Sequence, residues 1–147
     1  MSNLKISVIP QFWKDWKQVH KKHKSREYAT IYTDIEFSSA SDEARIDSIS
    51  VLNAIKNSIV NGINEGCLDG QSFPYDKQPF LSRGWQIRKK RWGTDTAGKS
   101  SGLRIIFCLN DSDLLFVYIA TKANCANEKL LEKEFMGRIN DYLSIST

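Results

Sequence analysis

Two apolar runs separated by four turn-forming residues constrain this chain most. Leu103–Leu109 (LRIIFCL) and Leu114–Thr121 (LLFVYIAT) flank Asn110-Asp-Ser-Asp113. Each run is rich in β-branched and aromatic residues and bounded by turn residues, which is a strand pattern rather than a helical one. Neither run alternates cleanly with polar residues, so both strands should be central in the sheet. A third strand, Trp85–Trp92, precedes them and forms the first arm of a basic hairpin. A small antiparallel-rich sheet is therefore the expected heart of the fold.

Helical spacing appears on both sides of these strands. Leu4, Ile6 and Val8 alternate with polar residues as a short first strand, and Pro10 suits the first turn of a helix carrying Phe12, Trp16 and Val19. Ser41 or Asp42 can cap a second helix with Ile46, Ile49, Leu52, Ile55, Ile59 and Ile63 on one face, ended by Gly66. Residues 69–84 hold Gly70, Pro74, Pro79 and Gly84 and read as an irregular connection. Asn124 or Asn127 can cap a C-terminal helix with the stripe Leu131, Phe135, Ile139 and Tyr142. The expected order is β-α-α-β-β-β-α, an α+β class with a twisted sheet and helices packed on one face. At 147 residues the simplest expectation is a single domain, 1–147.

Composition narrows the partners. The net charge is +4. The basic residues gather in Lys14–Arg26 and again between Arg83 and Arg104, with the acids Asp34, Glu36, Asp42, Glu43 and Asp47 between. Such a distribution gives a positive face, for which nucleic acid is the natural polyanion, against the plain alternative of a solvated surface. No apolar run approaches the ~20 residues of a membrane helix, and the N-terminus lacks a signal-peptide pattern, so the expected location is cytoplasmic with no membrane partner. Cys67, Cys108 and Cys125 are too few and too scattered for a disulfide framework or a C-x-x-C metal site. His20 and His23 lie at helical spacing, but no Asp, Glu or Cys at matching spacing completes a metal set, so no metal is expected.

Gly93-Thr-Asp-Thr-Ala-Gly98-Lys99-Ser100 fits the nucleotide-binding pattern G-x-x-x-x-G-K-[ST]. That loop needs a buried strand before it and a helix after it, so that backbone N–H groups and the helix dipole cradle phosphate. Here Arg88-Lys-Lys-Arg-Trp92 precedes it and the β-branched Leu103–Phe107 follows. The pattern is therefore read as a hairpin turn, and no nucleotide cofactor is expected.

Strand alternation places Gln86, Arg88, Lys90 and Trp92 on one face, with Trp85, Ile87, Lys89 and Arg91 on the other. On the next strand Arg104, Ile106 and Cys108 oppose Leu103, Ile105 and Phe107. An arginine within such an apolar strand is costly unless it meets a ligand or a carboxylate. Trp92, Trp85 and Tyr118 are the aromatic candidates to stack on unpaired bases, each weighed against core packing.

The element order, the basic strand, Gly98-Lys-Ser-Ser-Gly102-Leu-Arg104-Ile-Ile-Phe107 and Leu114-Leu-Phe-Val-Tyr118-Ile-Ala-Thr-Lys122 together resemble the RelE/HigB-like toxins of bacterial toxin–antitoxin pairs. The likeness covers about Trp85 to Tyr142, and the first half matches only in element order. It implies a metal-independent, ribosome-dependent mRNA endoribonuclease, in which a 2′-hydroxyl attacks the adjacent phosphate. In that chemistry Arg104 would hold the phosphorane, Arg88 and Lys90 would orient the backbone, and Lys122 would carry the proton. Crowding by Arg88, Lys90 and Arg104 would favour the neutral form of Lys122. Lys99, Arg91, Tyr118 and Trp92 are the RNA-binding candidates.

The chain departs from the family pattern at Phe107, where many relatives have tyrosine, at Ala123, and in having no histidine after His23. These departures keep two alternatives open: a ParE-like inhibitor of DNA gyrase, and a non-catalytic RNA- or partner-binding domain of the same fold. The resemblance also implies a cognate antitoxin, for which Glu128, Glu132, Lys133 and Arg138 are candidate contacts against the alternative of a solvated face.

Overall fold

A computed structural model describes residues 4–22, 26–66, 70–75, 77–93, 102–121 and 127–145. The chain divides into two compact units, His20–Asp69 and Ser2–Val19 with Gly70–Thr147.

The larger unit is built on a five-stranded mixed sheet. Its strands are β1 (Lys5–Val8), β2 (Gln71–Phe73), β3 (Gln86–Trp92), β4 (Leu103–Leu109) and β5 (Asp113–Thr121), in the spatial order β1-β5-β4-β3-β2. β1 runs parallel to β5, and the other pairs are antiparallel. The two apolar runs are thus β4 and β5, and every residue of β4 is buried. Asn110 closes the turn between them, its Oδ1 accepting from Ser112 N at 3.0 Å and Asp113 N at 2.8 Å.

Helices cover the sheet on two faces rather than one. Phe135, Ile139 and Leu143 of the C-terminal helix (Glu128–Ile145) pack with Ile87, Ile106, Cys108, Leu115 and Val117. On the opposite face Phe12, from the helix Pro10–Lys22, meets Phe116 with ring centroids 5.7 Å apart. A strand hydrophobic on both sides leaves two apolar faces to hide, which the one-sided expectation overlooked.

Among the described residues the smaller unit carries three α-helices after the 3-10 turn Arg26–Tyr28, where one long helix was expected. With the first helix as α1, these are α2 (Asp34–Ser39), α3 (Asp42–Asp47) and α4 (Ser50–Asn64); the C-terminal helix is α5. Thr33 and Glu36 form a capping box on α2, and Ser41 caps α3 by accepting from Ala44 N at 3.1 Å. The Ile46–Ile63 stripe is interrupted at Ser48 and Ile49. Ser48 Oγ donates to Arg45 O at 2.7 Å and also bonds Thr30 Oγ1 at 2.7 Å, while Ile49 is extended and bridges to Thr30. A contact eighteen residues away therefore overrides the local helical period. Together with β2, this changes the expected element order.

Candidate nucleic-acid interface

Four consecutive cations, Arg88 to Arg91, occupy β3, and pairing with β4 decides which of them Arg104 joins. Arg91 stands directly opposite Arg104, and Lys89 opposite Ile106; Arg88 and Lys90 oppose Phe107 and Ile105. Arg104 therefore shares its face with Lys89 and Arg91, the face on which Ile106 meets α5. The expected grouping of Arg104 with Arg88 and Lys90 is wrong, because those two project through the other side of the sheet.

On the α5 side Arg104 and Lys89 are only 6% and 7% exposed, whereas Arg91 is exposed. Arg104 Nη1 lies 3.3 Å from Leu103 O, and Lys89 Nζ lies 5.9 Å from the centre of the Phe73 ring. Like charges at directly opposed strand positions are destabilising, and Arg91 and Arg104 are such a pair. A bound polyanion would turn that repulsion into a grip, since each guanidinium offers two parallel donors to phosphate oxygens.

On the other face Lys90 is 6% exposed with Nζ 6.0 Å from the centre of the half-buried Trp92 ring. Arg88 donates from Nε to Gln86 Oε1 at 3.2 Å and from Nη1 to Gly70 O at 3.4 Å. Gly70 has φ +110°, and a Cβ there would lie 2.7 Å from Lys89 O, so only glycine lets β2 begin this close to β3.

Tyr118 shares the face of Arg104, paired to Ile106, but its ring is already engaged. The Arg138 guanidinium of α5 lies 5.0 Å from its centroid. Arg138 is also held by Asp15 of α1 through Nη1 at 2.6 Å and Nη2 at 3.1 Å, donates to Val117 O at 3.0 Å, and meets Glu134 at 3.0 Å. β1 ends opposite Phe116, so this pair serves the edge of β5 that β1 leaves open, with the Ile119 N–H donating to Asp15. Burial raises the Asp15 carboxyl above its ordinary range against the pull of Arg138. Burial alone would lower the Arg138 guanidinium, but Asp15 and Glu134 together raise it. Arg138 is therefore an internal clasp, not a solvated or antitoxin-facing cation as expected.

Sequence reasoning missed this clasp. Its one local signal is Asp15 itself, the only acid in a lysine-rich helix and adjacent to the buried Trp16. Lys99 and Lys122 lie outside the described residues, as does most of Gly93–Ser100. β3 and β4 are nonetheless adjacent antiparallel strands, and β4 stands where a phosphate-binding loop requires a helix. Among the described residues no group of three His, Cys, Asp or Glu is placed to hold a metal. Burial drives the Cys108 thiol far up, which makes it an inert core residue.

Comparison with protein-family models, curated proteins and solved structures finds no match for this chain.

Proposed function

We propose that the protein is a RelE/HigB-like toxin, an endoribonuclease that cuts mRNA on the ribosome and is neutralised by a cognate antitoxin. What supports this reading is Arg104, 6% exposed on a central strand and opposite Arg91, with Lys89 on the same face of β3. That is a concentration of positive charge on a rigid element, suited to one compact polyanionic group.

In the proposed reaction the RNA 2′-oxygen attacks the adjacent phosphorus and the P–O5′ bond breaks. The products are a 2′,3′-cyclic phosphate and a 5′-hydroxyl. Arg104 stabilises the extra negative charge of the phosphorane, while Arg91 and Lys89 take the orienting role that their strand partnership gives them. Lys122, the residue after the end of β5, is the proposed proton carrier. Arg88, Lys90 and Trp92, on the opposite face, guide flanking RNA rather than the scissile phosphate.

The test is induction of the protein in translating cells, with RNA ends mapped against ribosome position. New 5′-hydroxyl ends inside the ribosomal A-site window, abolished by Arg104→Ala, support the proposal. Growth arrest with intact messages would instead favour a gyrase inhibitor, and intact messages without arrest a non-catalytic binding domain.

A further inference from the structure

A cleft of about 470 Å³ opens at the other end of the sheet, within the larger unit. It is lined by Lys5 and Ser7 of β1, Asp113 and Leu115 of β5, Asn110 and Ser112 of the turn, Arg83 and Trp85 ahead of β3, and Tyr142 and Leu143 of α5. Its volume lies within the roughly 300–1,000 Å³ typical of small-molecule sites. Lys5 pairs with Asp113 and Arg104 with Ala120. Seven residues along β5 at ~3.3 Å each separate the cleft from the Arg104 face by roughly 20 Å.

The lining is donor-rich. Among the described residues neither the Arg83 guanidinium nor the Lys5 ammonium makes a hydrogen bond or ion pair. The one carboxylate of the lining, Asp113, stands across from Lys5 in the β1–β5 pairing and accepts from Ser112 Oγ at 2.9 Å. Arg83 is nevertheless fixed in place: its carbonyl accepts from Asn110 Nδ2 at 3.2 Å, and Asn110 itself organises the β4–β5 turn. The walls include two aromatic side chains, Trp85 and Tyr142, and the buried Leu115 and Leu143.

We infer that this cleft binds a nucleoside phosphate, held through its phosphate by Arg83 and Lys5 and through its base by Trp85 and Tyr142. Two cations against a single carboxylate leave this lining net positive, which favours an anion, and the side chains of Trp85 and Tyr142 in the same lining favour a ring. Asp113, half-exposed in the same lining, accepts a ribose hydroxyl or an exocyclic amine, a group that a bare aromatic acid lacks. The site is separate from the proposed cleavage face and stands whether or not the protein cuts RNA.

The experiment titrates the uniformly ¹⁵N-labelled protein with AMP, adenosine and inorganic phosphate separately, following the Trp85 indole N–H and the Ser112 and Asp113 amides. AMP is expected to saturate these signals at least about tenfold more tightly than either fragment. Arg83→Gln and Lys5→Gln are each expected to weaken AMP about tenfold or more, with folded spectra retained, and Arg104→Gln to leave AMP binding unchanged. No response at Trp85 into the millimolar range would overturn the inference. So would equal binding of AMP and phosphate, which would mark a mere anion site, or loss of binding in Arg104→Gln but not in Arg83→Gln.

Discussion

Removing Asp15 tests how the fold closes the open edge of β5. The carboxylate receives two hydrogen bonds from Arg138 and one from the Ile119 N–H, and the two side chains are 14% and 10% exposed. Breaking a fully buried pair costs about 3–5 kcal/mol, because the surviving charge is left without compensation. The residual exposure here places Asp15→Ala at the lower end, about 3 kcal/mol. Glu134 offers little relief to the abandoned guanidinium, since it is 55% exposed and such pairs contribute only ~0.2–1 kcal/mol. Equilibrium urea unfolding of Asp15→Ala, Arg138→Met and the double variant supplies the measurement. The double variant should lose much less than the sum of the singles, giving a coupling of about 2–3 kcal/mol. Single losses below ~1 kcal/mol that simply add would refute the clasp.

The pH dependence of the same pair has a definite sign. With the folded Asp15 value raised above the ordinary ~3.9, the folded protein binds this proton more tightly than the unfolded chain does. Measured against Asp15→Asn, wild-type stability should therefore fall as pH rises from about 4 through the raised value; a rise would mean that pairing with Arg138 outweighs burial. Gly70→Ala should destabilise by roughly 1–3 kcal/mol, from its positive φ and the 2.7 Å approach to Lys89 O; thermal melts that match wild type would remove the close-approach argument. Phe135→Ala, emptying a side chain 1% exposed in the α5 core, should cost about 3–5 kcal/mol in denaturant unfolding, and a loss below ~1 kcal/mol would show that α5 does not bear on the sheet.

What the sequence revealed and what it concealed divide by the range of the interaction. β4 and β5 were legible because their apolar runs and the Asn110 turn are local signals. The apolar stripe of α4 was legible for the same reason, yet its interruption at Ser48 was not, since Thr30 causes it. The cations of β3 and β4 were legible as a cluster, but their grouping was not. A one-residue slip in pairing moves Arg104 from the company of Arg88 and Lys90 to that of Lys89 and Arg91, and strand alternation alone permits either. Asp15 and Arg138 are 123 residues apart, beyond any spacing argument. The cleft at Arg83 and Lys5 assembles from four separate stretches of chain and leaves no motif.

The central claim is that Arg104 and its strand partners serve RNA cleavage. The most direct measurement is a reconstituted translation reaction with defined mRNA, in which cleavage at the ribosomal A site is followed as a 2′,3′-cyclic phosphate product. Removing one preorganised charge-stabilising group typically costs ~10²–10³ in rate. The account predicts ribosome-dependent cleavage that falls by about that factor in Arg104→Ala and much less in Arg88→Ala. No cleavage by the wild-type protein, or equal loss in the two variants, would contradict it.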